Sequence, residues 1–315
     1  MPLGGLGSRG IGGAAEVAAM AATARGRRGK EACLVDEELT LIFDSTREQG
    51  LPSHYRTMAG PFATTPTPPS RLGLDRLRAS GSEQPSRSEL DTTIRGLADK
   101  VTVVDLRQES HALLDAHPVS WYGPKNWAND GKTVEEAEAD EAARIRALPT
   151  PGTASVARVL AKSPDGRLSE TQVEPTPYKR ARSERETLGE LGLGAFRIAV
   201  RDHSPPADAD VDRFVAFVRE LPGDAWLHFH CHAGDGRTTT FLLLYDMLRN
   251  AAALGLEELA VRQRLLGGID LLHTPHEGWK GPLYDARAAF LGRFHRYAAT
   301  RDFHRVLWTQ YQAAG

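Results

Sequence analysis

Cysteine is scarce in this sequence, which contains Cys33 and Cys231 as its two cysteines among 315 residues. They lie far apart, and Cys33 sits in an irregular N-terminal stretch, so a disulfide framework is implausible. The fold should therefore not depend on an oxidising compartment. No set of Cys and His residues has the spacing of a structural zinc site, and we predict no metal.

Long apolar runs are also missing. The longest candidate, residues 241–244, lies inside an amphipathic helix pattern, and no run reaches the length that spans a bilayer. Residues 1–28 are rich in Gly, Ala and Arg and lack the compact apolar centre of an ordinary secretory signal. We expect residues 1–45 to be a poorly ordered leader, in which residues 39–43 could form a short strand. A cytoplasmic location and export by a non-standard route both stay open.

A strong excess of either charge is absent as well, since the formal net charge is -2. Nothing global indicates nucleic-acid binding, so any attraction for an anionic ligand must come from a local site. Hydrophobic residues make up 41% of the chain, which is ample for a buried core. The sequence shows no internal repeat and does not indicate the oligomeric state.

The sequence does contain an alternation of strand and helix patterns. The β-branched run 101–107 indicates a buried central strand. Strand patterns at 196–200 and 226–230 each precede a helix pattern, at 208–221 and 238–249. This alternation predicts an α/β fold with a mostly parallel sheet covered by helices. Ligands bind beyond the carboxyl ends of the strands in such sheets.

Two other stretches interrupt this alternation. Residues 60–95 include a proline-rich run, and we expect an extended surface connection there. Residues 120–182 contain an acidic helix pattern and two strand patterns around a turn, which is typical of a hairpin. We therefore predict a core formed by residues 46–119 and 183–315, with a small β-rich insertion at 120–182.

The residues around Cys231 form the most informative motif. A strand pattern ends at His230, and a helix pattern begins at Thr238. Between Cys231 and the helix lies the loop His232-Ala233-Gly234-Asp235-Gly236-Arg237. Its small residues allow backbone N–H groups to turn inward, and inward amides at a helix N-terminus bind anions. We call residues 231–237 the anion loop and predict that it binds phosphate.

The same loop supplies a nucleophile and a clamp. Arg237 follows Cys231 at the spacing Cys-(five residues)-Arg, and its guanidinium can hold two phosphate oxygens. A thiol at a helix N-terminus beside a cation ionises more readily, so we expect Cys231 to be a thiolate that attacks phosphorus in line. Thr238 is placed to hydrogen-bond Cys231 and help it leave. The competing interpretation, a buried structural cysteine, leaves Arg237 and the glycines unexplained.

Cleavage of a phosphomonoester also needs a proton for the leaving alkoxide. Asp202 follows the strand pattern 196–200 and precedes Pro205 and Pro206, which are typical of a stiff loop that moves as a flap. We predict that Asp202 is the general acid. The competing interpretations are a turn or capping role for Asp202, and Asp208 as the acid. Asp208, just before a helix pattern, fits an N-cap better.

The segment from His230 to Phe241 resembles the active-site loop of the protein-tyrosine-phosphatase-like phytases, the cysteine phytases of bacteria. Several further motifs are similar and occur in the family's order over about residues 50–311. These motifs are 105–111, 119–123, 196–203, 224–230 and 278–280. The resemblance implies a phosphatase core with a small inserted β-rich domain. It also implies stepwise hydrolysis of myo-inositol hexakisphosphate, a polyanionic small molecule, without a metal or other cofactor.

The resemblance implies the same roles for Cys231 as nucleophile, Arg237 as phosphate ligand and Asp202 as general acid, and it adds binding residues. It implies that His203 contacts the substrate and that Arg56 and Lys280 bind neighbouring phosphates. The competing interpretation of Arg56 and Lys280 is that they are ordinary solvated surface cations. Lys125 and Lys179 flank the predicted insertion and could reach a cleft, but a solvated surface position fits them better.

Asp235 departs from the pattern expected of this resemblance. Lipid and inositol phosphatases often carry an uncharged or basic residue there, because a carboxylate at the rim repels a polyanion. An ion pair with a nearby Lys or Arg would neutralise it. The nearest alternative is therefore a phosphatase for phosphotyrosine or another phosphoprotein, although no aromatic-rich segment lies near Arg56 or Asp202. A catalytically silent binding module or translocated effector, and a sulfur-transfer enzyme, are alternatives of other classes.

Overall fold

The computed structural model describes residues 39–47, 49–274 and 278–314. Residues 1–38, with Cys33 and most of the predicted leader, lie outside the described residues. The described strands are β1 (Thr40–Phe43), β2 (Arg56–Thr57), β3 (Ala79–Ser82), β4 (Val101–Arg107), β5 (His111–Leu114), β6 (His117–Tyr122), β7 (Gly152–Lys162), β8 (Leu168–Tyr178), β9 (Ala181–Arg182), β10 (Gly194–Val200) and β11 (Trp226–His230). The described α-helices are α1 (Arg87–Glu89), α2 (Val134–Ala147), α3 (Glu184–Glu190), α4 (Asp208–Arg219), α5 (Gly236–Asn250), α6 (Leu256–Leu265), α7 (Gly281–Ala299) and α8 (Trp308–Ala314).

A five-stranded sheet forms the centre of the fold, in the order β10-β4-β11-β3-β2. The first four of these strands run parallel, and β2 pairs antiparallel with β3 at the edge. Strand β4 is the run predicted as a central strand, and nearly all of it is buried. The predicted α/β fold with a mostly parallel sheet is confirmed. Because parallel strands end at the same edge, β4, β10 and β11 bring three distant segments together there.

Helices pack against this sheet. Helix α5 starts just after β11, is buried along nearly its whole length, and contacts β3, β11, α6 and α7. Helix α4 buries the apolar face that its pattern predicts, formed by Val211, Phe214, Val215 and Val218. Near the C-terminal end of the described ranges, a short 3-10 turn at Asp302–His304 precedes α8. None of the helices in the described ranges is long and apolar enough to cross a bilayer.

Strand β3 contradicts the extended surface connection predicted over residues 60–95. Its four residues are all buried, between β11 and β2. They are small because helix α5 packs directly on them: a Cβ on Gly81 would lie 2.7 Å from Thr238 Cγ2 and 2.9 Å from Leu242 Cδ1. A strand made of small residues carries no alternating hydrophobic pattern, so a reading of hydrophobic periodicity does not detect it.

A second, six-stranded sheet has the order β8-β7-β1-β6-β5-β9. Its hairpin, β7 and β8, lies where the sequence predicts a hairpin within residues 120–182. The sheet also takes strands from outside that range, because β1 pairs antiparallel with β6 and parallel with β7, and β5 pairs with β6. Strand β1, at the end of the predicted leader, is thereby joined to the β-rich segment.

Candidate active site

The anion loop connects β11 to α5 at the C-terminal edge of the central sheet. Cys231 follows directly on β11, and α5 begins at Gly236, so Arg237 already lies in the first helical turn. Gly234 has φ +79°, and a Cβ there would lie 2.4 Å from the backbone nitrogen of Glu83. The loop is pressed against the chain that follows β3, and glycine is the residue that fits this position.

Cys231, Thr238 and Arg237 meet within this loop. Cys231 is 3% exposed, and the Thr238 hydroxyl donates a hydrogen bond to Cys231 Sγ over 3.2 Å. The two terminal nitrogens of Arg237 donate to the Glu109 carboxylate over 2.7 and 2.8 Å. Arg237 Nε forms no hydrogen bond within the described ranges and lies 3.3 Å from Asp202 Oδ1, an ion pair that a phosphate oxygen would have to share or replace. The structure brings the predicted nucleophile and clamp together, and their catalytic roles stay predictions.

Glu109 is a site residue that the sequence motifs do not single out. It lies just after β4, is buried, and also accepts a hydrogen bond from Arg107 Nε over 2.9 Å. Burial pushes the pKa of Glu109 upward, but Arg237 and Arg107 outweigh burial and hold this pKa well below its ordinary range. The ionised carboxylate fixes the orientation of the Arg237 guanidinium. Glu109 and Arg237 are 128 positions apart in the chain, so no local pattern links them.

The substitution Glu109→Gln tests this positioning role. We expect kcat/KM to fall by about 10²-fold, because a misoriented Arg237 no longer holds the phosphoryl group in line. The free energy of unfolding should fall by about 3 kcal/mol, since two buried arginines lose a counter-ion. Hydrolysis of an aryl phosphate and urea denaturation measure the two effects.

Glu141→Gln is the matched control for Glu109→Gln. Glu141 is also buried and accepts from Arg197 Nη1 over 2.8 Å, but it lies outside the anion loop and the cleft. We expect this control to lower stability while kcat/KM is retained. An equal loss of kcat/KM in both variants would show that Glu109 acts only through stability.

Asp202 lies just after β10, beside Arg237. Its Oδ1 is 3.3 Å from Arg237 Nε, and its Oδ2 accepts from Asn126 Nδ2 over 3.0 Å. Trp127 Nε1 donates to the Asp202 backbone carbonyl over 2.9 Å, so residues of the predicted insertion hold the acid in place. Burial raises the pKa of Asp202, but Arg237 and His203 outweigh burial, and the pKa lies below its ordinary value of 3.8. In this arrangement Asp202 is ionised at neutral pH.

Asp208, the competing candidate for the acid, is tied to another part of the fold. Its Oδ1 accepts a hydrogen bond from Trp308 Nε1 over 2.7 Å, which fastens α4 to α8. The predicted N-cap role for Asp208 is wrong, because Asp208 is the first residue of α4 and the N-cap is Ala207, which has no side-chain cap. The Asp208 side chain therefore serves to bind Trp308 and does not cap the helix.

His203 follows Asp202 in a left-handed backbone conformation, with φ +65°, which is uncommon for a residue other than glycine. Its ring packs edge-on against Trp279, with the ring centroids 5.2 Å apart. Burial lowers the pKa of His203 to about 4; Asp202 opposes this shift and Lys280 adds to it. The ring is therefore neutral at neutral pH and offers a substrate hydrogen bonds but no positive charge.

The anion loop opens into a cleft of about 520 Å³, a volume typical of a small-molecule site. Among the described residues, the cations that line it are Lys125, Lys162, Lys280 and Arg287. The lining thus includes the predicted Lys280, and also Lys125, whose ammonium lies 5.0 Å from the centre of the Trp279 ring. The sequence motifs indicate neither Lys162 nor Arg287, because both come from segments without a recognisable motif.

Arg287 has buried donors that no acceptor of the described residues satisfies. It is 1% exposed, its guanidinium lies 4.7 Å from the centre of the Tyr284 ring, and its Nε and Nη2 have no hydrogen-bond partner within the described ranges. It reaches the anion loop, since a Cβ on Gly236 would lie 3.0 Å from Arg287 Nη1. Buried donors without acceptors are unfavourable, so this side chain is suited to an anion bound over the loop.

Two other predicted cations do not line the cleft. Arg56 is 4% exposed in β2 and donates to the His54 carbonyl over 2.8 Å and to the Thr239 hydroxyl over 3.0 Å. Burial lowers the pKa of Arg56 to about 10. Arg56 is therefore a buried support beside the anion loop, and its contact with substrate stays a prediction. Lys179 is exposed, in agreement with the surface interpretation.

His232 connects the anion loop to the second sheet. Its Nδ1 lies 3.0 Å from Asp44 Oδ1, and Asp44 also binds Arg107 Nη1 over 2.6 Å. Burial raises the pKa of Asp44, but Arg107 and His232 outweigh burial and hold the pKa far below its ordinary value. Asp44 follows β1 directly, within residues 1–45 predicted as a leader. The end of that segment is instead an ordered support of the site.

Asp235 is paired with a histidine and not with the Lys or Arg considered from the sequence. His54 Nδ1 lies 3.0 Å from Asp235 Oδ1 and 2.7 Å from the Ala233 carbonyl oxygen. Both side chains are about half exposed, His54 at 51% and Asp235 at 41%. We call this pair the rim couple. Asp235 also lines the cleft, together with Ala233 and Gly236 of the anion loop.

A second cavity, of about 280 Å³, lies beside β4 and β10 and is lined by charged side chains. Within the described ranges, Asp105, His111 and Glu184 are the group whose ligand atoms are close enough, within 4.8 Å, to share a metal ion. Asp105 already pairs with Arg197 over 3.0 Å, and Glu184 pairs with His230 over 3.0 Å. These pairs make the group a better fit to a buried charge network than to a metal site.

Sequence comparisons relate the chain to known proteins. The sequence model of the PTP-like phytase family, described by the words inositol hexakisphosphate, matches residues 104–249. Effector protein hopD2 of Pseudomonas syringae pv. tomato is 33% identical over 293 residues, which is 88% of this chain and 60% of hopD2. The chain therefore spans less than two thirds of the length of this curated relative.

Two solved structures are similar in sequence and fold. The PTP-like myo-inositol phosphatase of Mitsuokella multacida, in complex with myo-inositol-(1,3,4,5)-tetrakisphosphate, has a TM-score of 0.79 at 33% identity, over 87% of this chain and 49% of that chain. The PTP-like phytase of Bdellovibrio bacteriovorus has a TM-score of 0.70 at 33% identity, over 87% of this chain and 94% of that chain. With this similarity over nearly the full length of the Bdellovibrio protein, and with the anion loop at the sheet edge, the chain belongs to the family of protein-tyrosine-phosphatase-like phytases.

Proposed function

We propose that this protein is a metal-independent phosphomonoesterase that removes phosphates stepwise from myo-inositol hexakisphosphate through a cysteinyl-phosphate intermediate. The observation that carries the proposal is the arrangement around the anion loop. Cys231 and Arg237 lie in one loop, Arg237 Nε forms no hydrogen bond within the described ranges, and the loop opens into a cleft lined by several cations. Such a site fits one phosphate on the loop and further phosphates around it.

The reaction proceeds in two displacements. The Cys231 thiolate attacks phosphorus in line, an S–P bond forms, and the P–O bond to the ring oxygen breaks while Asp202 donates its proton to that oxygen. The loop amides and Arg237 stabilise the charge on the equatorial oxygens. Water, which loses a proton to Asp202, then attacks the cysteinyl phosphate. Inorganic phosphate is released, and Cys231 leaves as a thiolate with the Thr238 hydroxyl as its donor.

The charges around the cleft support a polyanionic substrate. A monophosphate would occupy the anion loop alone and would bring no phosphate to the other cations of the cleft, Lys162, Lys280 and Arg287. The unsatisfied donors of Arg287 favour a second phosphate close to the first. Burial lowers the pKa of Lys162, Lys280 adds to this shift and Asp202 opposes it, and a bound anion beside the ammonium would oppose it further. A family relative that contains a bound inositol tetrakisphosphate adds support.

A phosphotyrosine phosphatase is the nearest alternative. Trp279 and Tyr284 line the cleft and offer aromatic surface. A cation lies over each ring, with Lys125 5.0 Å from the Trp279 centroid and Arg287 4.7 Å from the Tyr284 centroid. These faces are therefore less available to a phenyl ring, which favours the inositol phosphate.

The role of an effector is a second candidate, and it concerns where the protein acts. The similarity to hopD2, which is named an effector protein, favours export by a non-standard route. This role is compatible with catalysis and also with simple sequestration of inositol phosphates. Measurements on Cys231→Ser, given in the Discussion, distinguish these two modes.

Steady-state assays with inositol hexakisphosphate and a phosphotyrosine peptide test the proposed function. We expect a large preference in kcat/KM for inositol hexakisphosphate, and chromatography of its products should reveal successive lower phosphates. A large preference for the peptide would refute the proposed substrate while leaving the thiolate chemistry intact.

A further inference from the structure

The cleft contains a carboxylate that the proposed reaction does not use. Among the described residues that line it, the acids are Asp202 and Asp235. Asp202 is the proposed acid and lies 3.3 Å from Arg237 Nε. Asp235 has no such task, and no Lys or Arg of the described ranges forms an ion pair with it, although the charge of Arg56 interacts with it at longer range. A negative charge without a catalytic role, in a cleft for a polyanion, calls for another explanation.

The rim couple holds Asp235 in place without removing its charge. His54 Nδ1 is within hydrogen-bond distance of both the Ala233 carbonyl oxygen, at 2.7 Å, and Asp235 Oδ1, at 3.0 Å. A carbonyl oxygen only accepts, so Nδ1 carries a proton whether the imidazole is neutral or charged. The contact therefore does not require a positive His54, and the Asp235 carboxylate keeps its charge when His54 is neutral.

His54 itself is held in a conformation that favours this contact. Its backbone is left-handed, with φ +53°, and its carbonyl oxygen accepts a hydrogen bond from Arg56 Nη1 over 2.8 Å. A left-handed conformation in a residue other than glycine persists where surrounding contacts fix it, often at functional sites. The anion loop thus presents Asp235 at the rim with its Oδ1 paired and no recorded partner for its Oδ2 within the described ranges.

A carboxylate and a cation select different neighbours on an inositol ring. A free ring hydroxyl donates a hydrogen bond to a carboxylate oxygen, whereas a phosphate brings like charge to it. At a separation of about 6–12 Å between the two charges, this repulsion corresponds to about tenfold to a hundredfold in affinity at an effective dielectric constant near 20. The cations of the cleft instead favour a phosphate over a hydroxyl; they are Lys125, Lys162, Lys280 and Arg287.

We propose that Asp235 is a specificity-determining residue, which selects an inositol ring with a free hydroxyl, not a phosphate, at the position facing the rim couple. This inference rests on the proposed function and deepens it. Removal of the first phosphate from the fully phosphorylated ring is then the slowest step of the sequence. Partly phosphorylated rings, which can turn a hydroxyl toward Asp235, react faster than inositol hexakisphosphate.

The substitution Asp235→Asn tests the proposal, since it removes the charge and keeps the shape of the side chain. For native protein and variant, kcat/KM is measured with inositol hexakisphosphate and with myo-inositol-(1,3,4,5)-tetrakisphosphate, which carries free hydroxyls. We expect the native protein to prefer the tetrakisphosphate. In the variant, the ratio of the hexakisphosphate value to the tetrakisphosphate value should rise by about tenfold or more. Because both values come from one preparation, changes in folding or in the chemical step cancel in the ratio.

Asp224→Asn is the matched control, because it also removes one exposed, ion-paired aspartate. Asp224 is 58% exposed, pairs with Lys100 over 2.9 Å, and lies before β11, at the opposite end of that strand from Cys231. We expect the control to keep the native ratio. A ratio unchanged in Asp235→Asn, or raised equally in Asp224→Asn, overturns the proposal. If the native protein hydrolyses an aryl phosphate but neither of the two inositol phosphates, the proposed function is refuted, and this inference with it.

Discussion

Replacing Cys231 by serine is expected to reduce hydrolysis of every phosphate ester by about 10⁴-fold or more. A serine hydroxyl is not ionised at neutral pH and needs a base to attack phosphorus. Within the described ranges, the hydrogen bond recorded at Cys231 Sγ is donated by Thr238, which offers no base. Release of inorganic phosphate from inositol hexakisphosphate and from an aryl phosphate measures the loss.

Binding should survive this substitution. Arg237, the loop amides and the cations of the cleft are unchanged, and one negative charge is lost when the thiolate is replaced. We therefore expect Cys231→Ser to bind inositol hexakisphosphate at least as tightly as the native protein, by isothermal titration calorimetry. Cys33→Ser, at the other cysteine of the chain, is the matched control and should keep full activity.

Two results would contradict the assignment of Cys231 as the nucleophile. Phosphate release at the native rate from Cys231→Ser would mean that another group attacks phosphorus. Tight binding by a native protein that releases no phosphate at all would instead favour sequestration, as expected of a silent binding module. A cysteinyl phosphate trapped by rapid acid quench of the native protein would support the proposed intermediate directly.

Asp202→Asn is expected to lower kcat for inositol phosphates by about 10²–10⁴-fold, because an alkoxide leaves slowly without a proton. The loss should be much smaller for an activated aryl phosphate, whose phenolate leaves without protonation. Asparagine keeps the size of the side chain and can still contact Asn126, so the variant isolates the proton. Steady-state kinetics with both substrate classes measure the difference.

The pH dependence gives a second test of Asp202. The pKa of Asp202 lies below 3.8, so its proton is lost as the pH rises from the acid range, and kcat/KM for an inositol phosphate should fall. A bound phosphate dianion competes for Arg237 and raises the pKa of Asp202, so kcat should fall at a higher pH than kcat/KM. We expect Asp202→Asn to lack this falling limb.

Asp208→Asn is the matched control for Asp202→Asn, since Asp208 is the competing acid candidate. Its carboxylate accepts a hydrogen bond from Trp308 Nε1 between α4 and α8, so the variant should lower stability and keep the leaving-group dependence of the native protein. Equal losses with both substrate classes in Asp202→Asn, together with an unchanged pH profile, would assign Asp202 a structural role instead.

Local features of the sequence determined the parts of the protein that are contiguous in the chain. The anion loop is one such part, because β11, the small residues, Arg237 and α5 follow one another directly in the sequence. The β-branched run of β4 and the amphipathic pattern of α4 are others. Each is specified by interactions between near neighbours in sequence, which is why the α/β fold and the family could be predicted.

Local sequence features were misleading where contacts with a distant segment determined the residue type. Strand β3 consists of small residues because α5 lies against it, with Leu242 in contact range of Gly81. Asp208 has the local features of an N-cap, yet it binds Trp308 from the far end of the chain. In both cases a segment distant in the chain determined which residue fits. Such a requirement produces no periodic pattern in the local sequence.

The sequence alone therefore determined the fold class, the nucleophile loop and the acid loop as predictions, and the tertiary structure decided what surrounds them. Glu109 behind Arg237, Arg287 over Gly236 and His54 beside Asp235 come from segments far apart in the chain. They meet because parallel strands end at one edge of the sheet, and helices and loops close around that edge. Charge pairing across such distances depends on three-dimensional proximity, which hydrophobic periodicity and motif spacing do not encode.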